Sequence, residues 1–99
     1  MWYVYILRSQ NYPAQEYTGA SEDLRQRFAD HNAGKSVHTA KFKPWDLLWY
    51  CAFPGKMPAL VFEKYLKSHS GRAFAKKRLL KRDAGNSLPP KNSNSKSSC

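Results

Sequence analysis

The stretch WYVYILRSQNYPAQEYTGAS, residues 2–21, decides how the rest of the chain is read. Trp2 to Leu7 is a run of aromatic and β-branched residues, the composition of a strand and not of a surface helix. Ser9, Gln10, Asn11, Tyr12 and Pro13 then supply turn chemistry, and a second short run follows from Glu16 to Ala20. Together they predict a β-hairpin. Antiparallel pairing over a short loop sets Tyr5 opposite Tyr17 or Thr18, which makes the two tyrosines neighbours across the ladder.

Beyond the hairpin, Ser21 with Glu22 and Asp23 after it predicts the N-cap and first turn of a helix, and Gly34 predicts its stop. At helical spacing Leu24 and Phe28 form the buried stripe, with Arg27 and His31 together on its border. A basic loop containing Pro44 leads into Trp45–Phe53, which is apolar on both faces apart from Asp46. That pattern predicts a strand buried in the sheet, ended by Pro54-Gly55. Pro58 suits the first turn of a following helix, whose apolar positions are Ala59, Phe62 and Leu66 with Val61 and Tyr65, and in whose middle Glu63 lies. Ser70-Gly71 interrupts, and Ala73 to Leu80 predicts a last, basic helix anchored by Phe74, Leu79 and Leu80. From Ala84 to Cys99 the composition turns to Ser, Asn, Pro and Lys, with Leu88 the one sizeable apolar side chain. One folded domain over residues 1–83 and a disordered tail over 84–99 are expected.

Composition narrows what such a chain can do. With 99 residues and 17 Lys and Arg against 7 Asp and Glu, the net charge is +10, which describes one small basic domain and excludes a multidomain enzyme. Neither a membrane-length apolar run nor the pattern of a secretory signal is present, so a soluble, cytoplasmic protein is expected. Cys51 and Cys99 form neither a disulfide framework nor a paired-Cys zinc pattern, which suits a reducing compartment. From Lys64 to Arg82 there are eight basic side chains and no acidic one, and Lys35, His38, Lys41 and Lys43 make a second basic stretch. A polyanion is the partner this charge distribution favours, because each neutralised phosphate releases counterions. Contacts to nucleic acid are assigned to Gly19, Lys35, Lys41, Lys43, Lys67, Arg72, Lys76, Lys77 and Arg78. No Gly-rich phosphate loop, HExxH or GxSxG occurs, which removes P-loop kinases, zincins and α/β-hydrolases.

YVYIL at residues 3–7, YTG at 17–19, DLRQRFADHN at 23–32 and FEKYLK at 62–67 occur in an order and at separations that resemble the GIY-YIG nuclease family. The resemblance spans roughly residues 1–80, and it is greatest to small stand-alone bacterial members. It implies an α/β (α+β) fold with a three-stranded antiparallel sheet flanked by helices. Carried over residue by residue, it implies that Tyr5, Tyr17, Arg27, His31 and Glu63 are catalytic and that Glu63 holds one divalent cation, Mg²⁺ or Mn²⁺. Three departures stand out: Tyr3 replaces the first glycine, Thr18 replaces an isoleucine, and Ala20 stands where some relatives carry a lysine.

The chemistry of phosphodiester hydrolysis asks for the same groups. It needs a deprotonated water in line with the leaving oxygen, charge stabilisation on the phosphate, and support for the departing alkoxide. A carboxylate such as Glu63 can hold a hard cation, and Arg27 offers a planar fork of donors that lysine cannot reproduce. A tyrosine serves as general base only if its pKa falls from about 10, in the direction a guanidinium and a metal push it. Tyr17 is the first choice, with Tyr5 and His31 able to orient water or phosphate or to exchange that role. The expected function is metal-dependent DNA endonuclease activity, structure-selective or weakly sequence-specific, in repair or recombination, by a monomer or weak dimer. RNA is left open as a substrate. The rival expectation is a nucleic-acid-binding module that keeps the fold without turnover.

Overall fold

The computed structural model describes residues 1–80; the tail expected over 84–99 and the boundary at 83 lie outside them. The strands are β1 (Trp2–Ser9), β2 (Glu16–Ser21) and β3 (Trp45–Phe53). The helices are α1 (Leu24–Asn32), α2 (Lys56–Lys67) and α3 (His69–Phe74), with a short 3₁₀ turn at Ala40–Phe42 and a π-type turn at Ala75–Leu79 closing the described chain. The strands form one antiparallel sheet in the order β2-β1-β3, so the architecture is α+β.

The central strand is β1, whose Val4, Tyr5, Ile6 and Leu7 are no more than 3 % exposed. Period-two alternation sends Val4 and Ile6 to one face, where they pack with Ala59, Leu66 and Ala75, and sends Tyr5 and Leu7 to the other, where they meet Trp45. Trp45–Phe53 is therefore an edge strand and not the inner one its apolar pattern predicts. Both of its faces are apolar because both faces of the sheet are covered, which a strand's composition cannot distinguish from a central position.

The hairpin forms as predicted, in a different register. Tyr5 stands opposite Gly19, and Tyr17 opposite Leu7. The loop spans residues 10–15, closed by the Ser9 N–H donating to the Gln15 carbonyl at 3.0 Å and by an Arg8–Glu16 ion pair at 2.8 Å.

Helix α1 starts later than expected. Its N-cap is Asp23, whose carboxylate accepts from the Gln26 N–H at 3.1 Å, while Ser21 accepts from the Asp23 N–H one step upstream. Gly34, at φ +80°, ends it in the left-handed region that favours glycine. In α2 the buried side chains are Ala59 and Leu66 with Phe62 beside them, whereas Val61 and Tyr65 are 63 % and 40 % exposed. Those two lie about a quarter turn round from the face the sheet covers.

The break after α2 comes at Ser68, not at Ser70-Gly71. Ser68 is extended, its hydroxyl donating to the Tyr65 carbonyl and accepting from the Gly71 N–H, so one side chain stitches the end of α2 to the start of α3. Gly71 lies inside α3 because its backbone presses on α2: a Cβ there would be 1.7 Å from the Tyr65 carbonyl oxygen. Phe74 is exposed and meets the Tyr65 ring at 6.0 Å; Ala75, Leu79 and Leu80 join the core in its place. Among the described residues no helix is long and apolar enough to cross a membrane.

Candidate active site

The α1-facing side of the sheet gathers the aromatic residues at one point. Tyr5 rises from β1 directly over Gly19 of β2, where a Cβ would stand 2.5 Å from the Tyr5 hydroxyl and 2.9 Å from the Tyr17 ring. Any larger residue at Gly19 would push the rings apart. Gly19 is itself buried, so its role in the structure is to seat the two tyrosines. The Tyr5 and Tyr17 ring centroids are 6.3 Å apart, and that of His31 is 5.0 Å from Tyr17 and 5.9 Å from Tyr5.

His31 is completely buried, not on the helix border where its spacing puts it. The reason is that both ring nitrogens find partners: Nε2 lies 3.1 Å from the Tyr5 hydroxyl and Nδ1 2.7 Å from the Thr39 hydroxyl. Thr39 in turn accepts from the Trp45 indole N–H at its carbonyl, and Asn32 bonds both backbone groups of Trp45. The end of α1 is thus tied to the start of β3 through the loop between them. Neither Thr39 nor Asn32 was singled out from the sequence. A loop threonine eight positions after a histidine carries no periodic signal, and Asn32 reads only as a residue before a helix stop.

Burial pushes the Tyr5 hydroxyl up to about 12, helped by the neighbouring Tyr17; the Arg27 guanidinium pulls the other way and Glu63 adds a small push upward. Tyr5 therefore keeps its proton at neutral pH. His31 is held below its ordinary value, first by loss of hydration and then by Arg27. It is neutral, so one ring nitrogen donates and the other accepts, and the hydroxyls of Tyr5 and Thr39 can each serve either role. The unfolded chain binds a proton at His31 below about pH 6.5 that the folded chain refuses, so stability is full above that pH and falls as the pH drops below it. Denaturant titrations between pH 7.5 and pH 5 are expected to show this decline, at up to about 1.4 kcal/mol per pH unit, and His31→Gln to flatten it at the cost of overall stability.

Arg27 lies one turn before His31 on α1, half-exposed, with its guanidinium 4.0 Å from Asp30 and its charge felt by both Tyr5 and His31. Glu63 comes from α2. Its side chain is 19 % exposed, 3.1 Å from the Lys67 ammonium, and its charge reaches Tyr5. Tyr17 is half-buried, and its hydroxyl makes no hydrogen bond among the described residues. Four elements thus supply the five residues: the rings of Tyr5, Tyr17 and His31 pack together, and the charges of Arg27 and Glu63 reach Tyr5. Among the described residues no three His, Cys, Asp or Glu side chains converge on a common point. That donor set does not suit zinc, which takes three or four protein ligands; it fits Mg²⁺ or Mn²⁺, which keep water or phosphate oxygens beside one or two carboxylates.

The basic residues divide into separate groups. Lys67, His69, Arg72 and Lys76 line a groove of about 760 Å³ between the hairpin and α3, with Tyr17 also on its wall. Glu16, the acidic residue of that groove, is already paired with Arg8. Lys77 and Arg78 are exposed outside the groove, and Lys35, Lys41 and Lys43 are exposed on the loop after α1, Lys41 over the Phe42 ring.

Comparison with known proteins agrees with the fold. Residues 1–78 match the family model of the GIY-YIG catalytic domain. A UPF0213 protein of Cupriavidus pinatubonensis is 40 % identical over 70 residues, covering 70 % of this chain and 76 % of the relative. One of Vibrio campbellii is 36 % identical over 67 residues, covering 67 % of this chain and 62 % of the relative. Another, of Streptococcus pyogenes, is 35 % identical over 72 residues, covering 72 % and 76 %. With the family model matched across the whole sheet and α2, the chain belongs to the GIY-YIG family of nuclease-type catalytic domains.

Proposed function

We propose that this protein is a divalent-metal-dependent endonuclease that hydrolyses DNA phosphodiester bonds, structure-selective or weakly sequence-specific, with repair or recombination of DNA as its setting. The observation that carries the reading is the packing of the Tyr17 ring on the buried Tyr5–His31 pair, with the charges of Arg27 and Glu63 reaching Tyr5 and with Tyr17 on the wall of a basic groove. The described residues hold no helix-turn-helix or zinc module to read base edges, which favours shape over sequence.

In this mechanism Arg27 binds two oxygens of the scissile phosphate and meets the charge that grows on them as the bond breaks. Tyr17, where it is present as the phenolate, takes the proton of the attacking water and becomes the phenol. It is the group suited to this, because Tyr5 holds its proton and both His31 nitrogens are engaged. Tyr5 and His31 fix the position of the Tyr17 ring and exclude bulk water beneath it. Glu63 would hold Mg²⁺ or Mn²⁺, whose chemistry when bound is to stabilise negative charge on the phosphate and leaving oxygen. Lys67, Arg72 and Lys76 position the flanking backbone electrostatically.

The test is a cleavage assay on labelled linear, nicked, branched and single-stranded DNA with Mg²⁺, Mn²⁺ or EDTA. Tyr17→Phe is expected to reduce the single-turnover rate by about 10²- to 10⁴-fold with affinity unchanged. Binding to every substrate with cleavage of none would support instead a binding module on this fold, the reading that the occupied Glu63 carboxylate favours.

A further inference from the structure

Glu63 already has a cation. The Lys67 ammonium lies 3.1 Å from its Oε2 one helical turn away, and Lys67 is also the residue of α2 whose side chain reaches the basic groove beside His69, Arg72 and Lys76. One side chain thus borders both the carboxylate proposed to hold the metal and the surface proposed to hold the polyanion. The Lys67 side chain is 53 % exposed, so it is free to change partners, while Glu63 at 19 % is the fixed member of the pair.

We infer that Lys67 is a resident counter-ion that makes metal binding depend on nucleic acid. A divalent cation approaching Glu63 in the free protein must displace the ammonium or share the carboxylate against like-charge repulsion, which weakens its binding. Phosphates in the groove offer Lys67 another anion one side-chain swing away and supply oxygens that the metal lacks in the free protein. The two ligands therefore bind with positive coupling, and by linkage the metal tightens the nucleic acid by the same factor as the nucleic acid tightens the metal. Productive loading then waits for substrate. This rests on the proposed role of Glu63, and deepens it by naming what controls that site.

The experiment is a Mn²⁺ titration followed by electron paramagnetic resonance, on the full chain with and without a short phosphorothioate DNA duplex, which is hydrolysed slowly. Lys67→Met is expected to tighten Mn²⁺ binding to the free protein by roughly threefold or more, the scale of a partly exposed ion pair, and to shrink the ratio between DNA-bound and free affinities. Lys67→Arg, which keeps the charge, should keep the weak Mn²⁺ binding of the DNA-free protein. Unchanged Mn²⁺ affinity in Lys67→Met, with Glu63→Gln still abolishing binding, overturns the counter-ion inference and leaves the metal site standing. Equal Mn²⁺ affinity in Glu63→Gln and the unaltered protein overturns the metal role of Glu63, and the inference with it.

Discussion

The Glu63→Gln protein is expected to bind DNA at least as tightly as the unaltered chain and to cut it on the order of a thousandfold more slowly in Mg²⁺. Glutamine keeps the volume of the side chain, so α2 and its packing stay as they are. What is lost is the charge: a neutral amide is a poor ligand for a hard cation, and among the described residues no group of three His, Cys, Asp or Glu side chains converges to replace it. Removing a negative charge beside the basic groove also frees Lys67 for phosphate, which is why affinity holds or rises. The measurement is a single-turnover rate paired with a salt-dependent binding curve. Cleavage within tenfold of the unaltered protein would remove Glu63 from the reaction.

Gly71→Ala is expected to cost on the order of 3 to 4 kcal/mol, since among the described glycines it is the one whose added Cβ would overlap backbone most closely. Two effects oppose each other. Alanine is the better helix former by about 1 kcal/mol, which alone would make the substitution stabilising. The new Cβ, however, would overlap the Tyr65 carbonyl at 1.7 Å and the Leu66 Cα at 2.8 Å, all backbone, so no rotamer relieves it. The helices must separate, breaking the Ser68 hydroxyl's two hydrogen bonds and withdrawing Ala75 from the core. For a domain of this size the melting temperature should fall by roughly 15 °C or more. Gly55→Ala is the control: its backbone is extended and the nearest atom to a new Cβ is 3.9 Å away, so it should cost only the N-cap preference of glycine over alanine, about 1 kcal/mol or less. A Gly71→Ala melting point within a few degrees of the control would show that α3 docks otherwise.

Much of this was legible in residues 2–21, because aromatic and β-branched runs bounded by turn residues have few other solutions. The register was not. It depends on the Arg8–Glu16 pair and the Ser9–Gln15 closure, two contacts between residues whose types alone do not say they will meet. Sheet order escaped for a related reason: residues 2–9 and 45–53 are both apolar on two faces, and only the complete layers decide which is central. The order and spacing of Tyr5, Tyr17, Arg27, His31 and Glu63 mark them as candidates in the sequence, whereas the burial of His31 is invisible there. Helical spacing places it at a border; Thr39, reached through an irregular loop, makes its burial affordable. Ser70-Gly71 looked like a helix break because serine and glycine punctuate chains, and here glycine serves close packing inside a helix instead.

The buried link from Tyr5 through His31 to Thr39 would serve two masters, the proposed reaction above it and the fold beneath it. A descendant of this chain that abandoned turnover would still need that link, since cutting it strands polar atoms in the interior. Selection would release Tyr17, Arg27 and Glu63 first, because their side chains retain access to solvent and their loss leaves the interior intact. Among related sequences, a tyrosine and histidine retained at positions 5 and 31 therefore say nothing about activity. Erosion of the outer three, with the inner two kept, is the mark by which a silent relative would be told from a working one.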